Sequence, residues 1–179
     1  SLLTREQELA LAQKIEAAEL AFRDQVLKLP FVRRDLLRLT DTLIDGQLDP
    51  EDYVKGDPNL KREELVARLV KLRTRLRKAT KASRIRKLYQ EFHLTIQAID
   101  WLVDHLEEYL RQLETTDRQL AQTKRTRRST ARRRRQQVLG VRRRHRRQLG
   151  ADPEPMRAML KMIRQLESDY TRAKKALVE

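Results

Sequence analysis

Large apolar residues recur along this chain in alternating steps of four and three, and that rhythm constrains the fold more than any other feature. Leu65, Leu69, Leu72, Leu76 and Ala79 follow it, as do Leu11, Ile15, Ala18, Phe22 and Val26. Such spacing lines one face of an α-helix, whereas a half-buried strand needs strict alternation. The composition agrees: 39% of residues are hydrophobic but only 4% aromatic, with four Gly and five Pro in 179 residues. That mixture suits aliphatic helix packing and suits a sheet poorly. The length is that of one domain. The expected fold is all-α, an antiparallel helical bundle with a helical insert. No apolar run approaches the roughly 20 residues of a membrane span, and no signal peptide is visible. The chain has no Cys, which removes disulfides and thiolate metal sites and is compatible with a cytoplasmic location.

Punctuation divides the pattern into segments. Thr4 with Gln7 forms a capping box, so a helix is expected from about Arg5, stopped by Pro30. A second should run through Leu36, Leu39, Leu43 and Ile44 to Gly46. Asp49-Pro50 and Gly56-Asp57-Pro58 frame a loop. The third helix spans about Leu60 to Ala79. Its stripe faces a core or, alternatively, an intermolecular coiled coil, for which it barely reaches the minimum length. Ser83 is a candidate cap for a short helix through Ile85, Leu88, Tyr89 and Phe92. Thr95 is a candidate cap for a longer one carrying Ile96, Ile99, Leu102, Leu106, Tyr109 and Leu113. Trp101 is expected on that helix's buried face. Leu149-Gly150 breaks the chain, and Asp152 with Pro153 restarts it as N-cap and first helical residue. Met156, Met159, Ile163, Leu166, Tyr170, Ala173 and Leu177 then form a last stripe, read as core.

The net charge of +15 is uneven. Residues 124–147 hold 13 Lys or Arg and no acid, while the remainder holds 28 basic and 26 acidic residues. The 13 are Lys124, Arg125, Arg127, Arg128, Arg132, Arg133, Arg134, Arg135, Arg142, Arg143, Arg144, Arg146 and Arg147. A guanidinium offers a planar fork of donors that fits phosphate oxygens, so these residues are candidate DNA contacts; an acidic protein surface and a solvated loop are the alternatives. No aromatics interleave them, which argues against base stacking. Gly140 lies among the few apolar residues of the tract, Val138, Leu139 and Val141, and weakens any helix there by about 1 kcal/mol relative to Ala.

Nothing in the sequence resembles a catalytic constellation, a phosphate loop or a nucleophile elbow. His93, His105 and His145 share no spacing. His105 and Glu108 sit one turn apart, half of a carboxylate–histidine metal motif whose other half is not evident. No enzyme activity, metal, cofactor or small-molecule substrate is expected.

Two stretches carry a family resemblance. LLTREQELALAQKIE (2–16) resembles the later half of region 1.2 of primary sigma factors, the sigma-70 family of promoter-recognition subunits of bacterial RNA polymerase. TRAKKALVE (171–179) resembles the residues just before that family's region 2.1. RLTDTLIDGQLDP (38–50), FHLTIQAIDWLVDHL (92–106) and LGADPEPMRAMLKMI (149–163) resemble parts of the variable insert between those regions and of its return. The resemblance implies a layout of 1–45 as late region 1.2 and the start of the insert, 46–151 as insert, and 152–179 as return helix, in one structural domain with its two ends brought together. It implies that Arg38 approaches DNA at the upstream edge of the minus-ten element; an exposed Arg38 paired to Asp35 or Asp41 is the alternative. It also implies promoter DNA and the beta-prime subunit of the polymerase core as partners, in the bacterial cytoplasm at the nucleoid. Relatives often carry an acidic stretch in the insert, which here is short (Asp49, Glu51, Asp52, Asp57). The family's DNA-contacting and minus-ten-recognising segments lie outside these matches, so the chain is expected to be part of a longer factor. An independent basic RNA- or DNA-binding helical protein and a helical interaction scaffold are the competing functions.

Overall fold

In a computed structural model, which describes residues 3–124 and 129–178, the chain is all-α. Eight helices and no strand are found among the described residues: α1 (Arg5–Leu27), α2 (Val32–Ile44), α3 (Pro50–Tyr53), α4 (Arg62–Lys78), α5 (Ala82–Glu91), α6 (Ile96–Lys124), α7 (Ser129–Leu149) and α8 (Pro153–Val178). They fall into two compact units. One comprises residues 3–102 with 163–178, the other Val103–Met162. No helix among the described residues is long and apolar enough to cross a membrane.

In the first unit α1 starts where the capping box places it. Gln7 N–H donates to Thr4 Oγ1 at 3.2 Å, and the Gln7 side-chain oxygen accepts the Thr4 N–H at 2.8 Å. Of its stripe Phe22 and Val26 are fully buried, while Leu11, Ile15 and Ala18 are half-buried. Helix α4 and its C-cap Ala79 bury the whole predicted set Leu65, Leu69, Leu72, Leu76 and Ala79, and α2, α3 and α5 all pack on that helix. The expected loop after Gly46 contains a one-turn helix, α3, because Asp49 accepts the Glu51 N–H and Pro50 is preset for a first helical position. Ser83 does not cap α5. The helix begins two residues earlier at N-cap Lys81, whose side chain makes no capping bond. Thr95 does cap α6, accepting the Ala98 N–H at 3.2 Å.

Arginine side chains donate to backbone carbonyls at a helix end, where the last carbonyls lack intrahelical partners, and in the link between helices. Arg33 donates to the carbonyls of Leu76 and Arg77 at the end of α4 (2.9 and 3.0 Å). Arg23 donates to the Leu94 carbonyl. His93 ends α5 in the left-handed region at φ 49, and its carbonyl accepts the Lys55 N–H at 2.8 Å. With Thr95 N–H donating to the Tyr53 carbonyl at 3.0 Å, this makes a short antiparallel bridge between Val54 and Leu94.

In the second unit α6 and α7 run antiparallel. Gln112 pairs with His145 and, further along α6, Asp117 pairs with Arg142, so the partners move back along α7. Leu106, Tyr109, Leu113, Val138 and Leu149 are buried there. Helix α7 ends at Gly150, whose φ of 77 and N–H bond to the Arg146 carbonyl make a left-handed cap. Trp101, expected to be core, is half-buried, and Leu177 is exposed.

Two measurements follow. Leu69→Ala removes a fully buried side chain from α4 and should cost about 2–5 kcal/mol in urea denaturation, whereas Leu9→Ala on the exposed part of α1 should stay within about 0.5 kcal/mol. The Arg75 guanidinium bonded to Glu91 holds that carboxyl below the usual carboxylate range, helped by Lys87 and Arg84. A depressed folded value means the contribution is complete above the unfolded carboxylate pKa, ~4.3, and is lost as pH falls through the lower folded value. Glu91→Gln should therefore lower Tm at pH 7, with the gap to wild type closing on acidification below ~4.

Candidate nucleic-acid interface

Most of the described basic tract is helix rather than loop. Arg132–Arg135 and Arg142–Arg147 lie on α7, which runs unbroken through Gly140. Few apolar residues hold it. Val138 and Leu149 are buried, Leu139 and Val141 half-buried. Lys124 is exposed at the end of α6. Arg125, Arg127 and Arg128 lie outside the described residues.

Helical geometry sorts the arginines. Eleven residues are close to three turns, to within about 20°, so Arg132 and Arg143, Arg133 and Arg144, and Arg135 and Arg146 stand in register. Arg142 is half-buried, and its Nε donates to Asp117 Oδ1 at 2.6 Å. Arg146 pairs with Asp152. His145 Nδ1 lies 2.8 Å from the Gln112 side-chain amide. Arg132, Arg133, Arg134, Arg135, Arg143, Arg144 and Arg147 are exposed and make no ion pair among the described residues. Arg132, Arg143 and Arg147 follow one another along the outer face over about 22 Å, the rise of roughly six base pairs of duplex. Near Gly150, Arg143, Arg146 and Arg147 also line an open depression with Ala151.

Arg38 is exposed on α2. Both alternative partners are engaged elsewhere. Asp35 is buried and accepts from Arg34 Nε at 2.9 Å, and Asp41 accepts from Arg73 at 2.8 Å and Arg77 at 3.3 Å. Arg38 and the α7 tract belong to different compact units.

The histidines have separate settings. His93 closes α5, and the His105 ring lies 5.8 Å from that of Tyr109, tilted 57°. Glu108 bonds Arg111 and Gln112 and is held below its ordinary pKa first by the Arg111 hydrogen bond. Among the described residues no three His, Asp or Glu converge. A second basic run, residues 71–87, has nine Lys or Arg and no acid. Averaging charge over everything outside 124–147 hides it; a window of about one short helix exposes it.

Compared with protein-family models the chain matches none, and no curated protein matches it either.

A Cβ built at Gly140 meets nothing within 4 Å. Gly140→Ala should therefore stabilise the second unit by about 0.5–1 kcal/mol through helix propensity and a stiffer unfolded chain, read as a rise in thermal midpoint.

Proposed function

We propose that this chain is the stretch of a primary sigma factor running from late region 1.2 through the variable insert to the edge of region 2.1, and that it acts, without turnover, in transcription initiation as part of the bacterial RNA polymerase holoenzyme. The observation that carries the proposal is the pair of motifs LLTREQELALAQKIE and TRAKKALVE with an insert between them. An all-α architecture, with α1 starting inside the first motif and α8 running through most of the second, is in keeping with it. In this role the chain scaffolds promoter recognition and opening in the bacterial cytoplasm, with promoter DNA and the polymerase core, the beta-prime subunit in particular, as partners.

The chemistry available is backbone contact. The outer arginines of α7 fit phosphate oxygens and release counterions on binding. They position a duplex without reading it. Arg38, exposed and with its neighbouring acids occupied, is the candidate for a local contact just upstream of the minus-ten element.

Two experiments test this. About six phosphates engaged give a slope of log K against log salt near −5 on duplex DNA. Replacing Arg132, Arg133, Arg134 and Arg135 with Ala should weaken all sequences alike and flatten that slope. Unchanged affinity and slope would transfer the tract to an acidic protein surface. In holoenzyme assembled with the complete factor, Arg38→Ala should slow opening at promoters that use contacts upstream of the minus-ten element and leave others near wild type. Failure of the complete factor to co-elute with polymerase core would sink the assignment as a whole.

A further inference from the structure

The run from Lys71 to Lys87 occupies the second half of α4, the turn at 79–81 and the first half of α5. Its nine cations separate into two groups. Arg73 and Arg77 converge on Asp41, and Arg75 grips Glu91 with two hydrogen bonds. Lys71, Lys78, Lys81, Arg84, Arg86 and Lys87 are exposed and make no ion pair among the described residues. Glu91 is close enough to sense Arg84 and Lys87, but both its oxygens are bonded to Arg75.

The frame beneath these charges is packed. Leu72, Leu76, Ala79, Leu88, Tyr89 and Phe92 are buried, and Arg33 closes the end of α4. Lys71, Thr74 and Lys78 therefore follow one another along the outer face of α4 at helical spacing, as Ser83, Arg86, Lys87 and Gln90 do on α5.

The makeup of this surface selects its partner. A protein interface carries a desolvated core of aromatic and apolar residues with charge at its rim, whereas here no large apolar side chain is exposed between 71 and 87. Binding single strands draws on aromatic stacking platforms, and the nearby aromatics Tyr89 and Phe92 are both buried. A run of outward cations between 71 and 87 that contains no acid and no stacking group matches a duplex phosphate backbone. We propose that the outer surface of α4 and α5 is a second contact site for duplex DNA, separate from the α7 tract and carried by residues of the other compact unit.

The test uses the full chain with Arg84, Arg86 and Lys87 changed to Ala, both in wild type and in the variant lacking Arg132–Arg135. The probe is a mixed-sequence DNA duplex of about two turns. In the background without the four α7 arginines, the chain should still bind with a salt-dependent affinity. Adding the α5 changes should flatten the slope by roughly 2–3 and weaken binding about tenfold or more at ~0.1 M salt. Arg84→Lys with Arg86→Lys should keep the slope, because backbone contact needs charge more than fork geometry. Should the triple variant lose helix by circular dichroism, Arg86→Glu alone, at an exposed site, gives the same reading. The proposal is overturned if the α5 changes leave residual duplex affinity and slope untouched. It is also overturned if they weaken only single-stranded RNA or only polyglutamate binding. Because the two sets of changes are scored separately, failure at α7 and failure at α5 are distinguishable.

Discussion

The first unit depends on one leucine stripe. Leu65, Leu69, Leu72 and Leu76 leave water together along a single face of α4, and α2, α3 and α5 are held by packing on that helix. Full burial of each such side chain contributes about 1.5–3 kcal/mol, which no surface ion pair in this molecule can match. The polar contacts refine what the stripe makes possible. Asp41 of α2 meets Arg73 and Arg77, and Glu91 of α5 meets Arg75, only because packing has already set those helices side by side.

Arginine therefore does two jobs here, and the geometry separates them. Where a guanidinium points along a packed seam it finds a carboxylate or backbone carbonyls at or near a helix end, as Arg23, Arg33, Arg68 and Arg73 do. Where it points outward, as at Arg86 or Arg143, it meets no acid among the described residues. A chain carrying a net charge of +15 pays for solubility with self-repulsion. Concentrating the excess on outer helix faces keeps that repulsion away from the core and leaves donors available to anions.

The stripes were legible because burial follows the 3.6-residue period, and α4 and α6 bury their predicted residues almost completely. Caps were legible where a side chain with one strong local bond occupied the site, as at Thr4 and Thr95. Ser83 misled because α5 is set by its packing on α4, which starts the helix at Ala82 with no side-chain cap. The helical state of the basic tract could not be read from its own pattern. Val138 and Leu149 supply its buried side chains, and partners on α6, distant in sequence, fix its orientation. The second basic run was hidden by averaging, although its charges were in plain view. The left-handed turn at His93 was not legible, because His, although enriched at positive φ among residues other than Gly, adopts it in only a minority of positions.

Salt acts on α7 in two opposing ways. Like charges three and four residues apart on a helix repel by a few tenths of a kcal/mol each, and Arg143 with Arg147 and Arg132 with Arg135 are such pairs. Asp117 and Asp152 relieve Arg142 and Arg146, but no described acid relieves the outer ridge. At ~0.1 M salt the Debye length is about 10 Å, longer than the roughly 5–6 Å between such i,i+3 and i,i+4 neighbours, so the repulsion within these pairs persists. Phosphates bound along the ridge would neutralise it directly, coupling occupancy to helix stability. Added salt screens the same repulsion and steadies the free helix, and it would reduce the counterion-release gain of any phosphate contact. Gly140 gives up helix propensity at the middle of this highly charged helix with no steric need for a missing Cβ. The outer ridge is therefore the part of α7 whose charge the described residues leave unneutralised, while Asp117 and Asp152 balance its inner side.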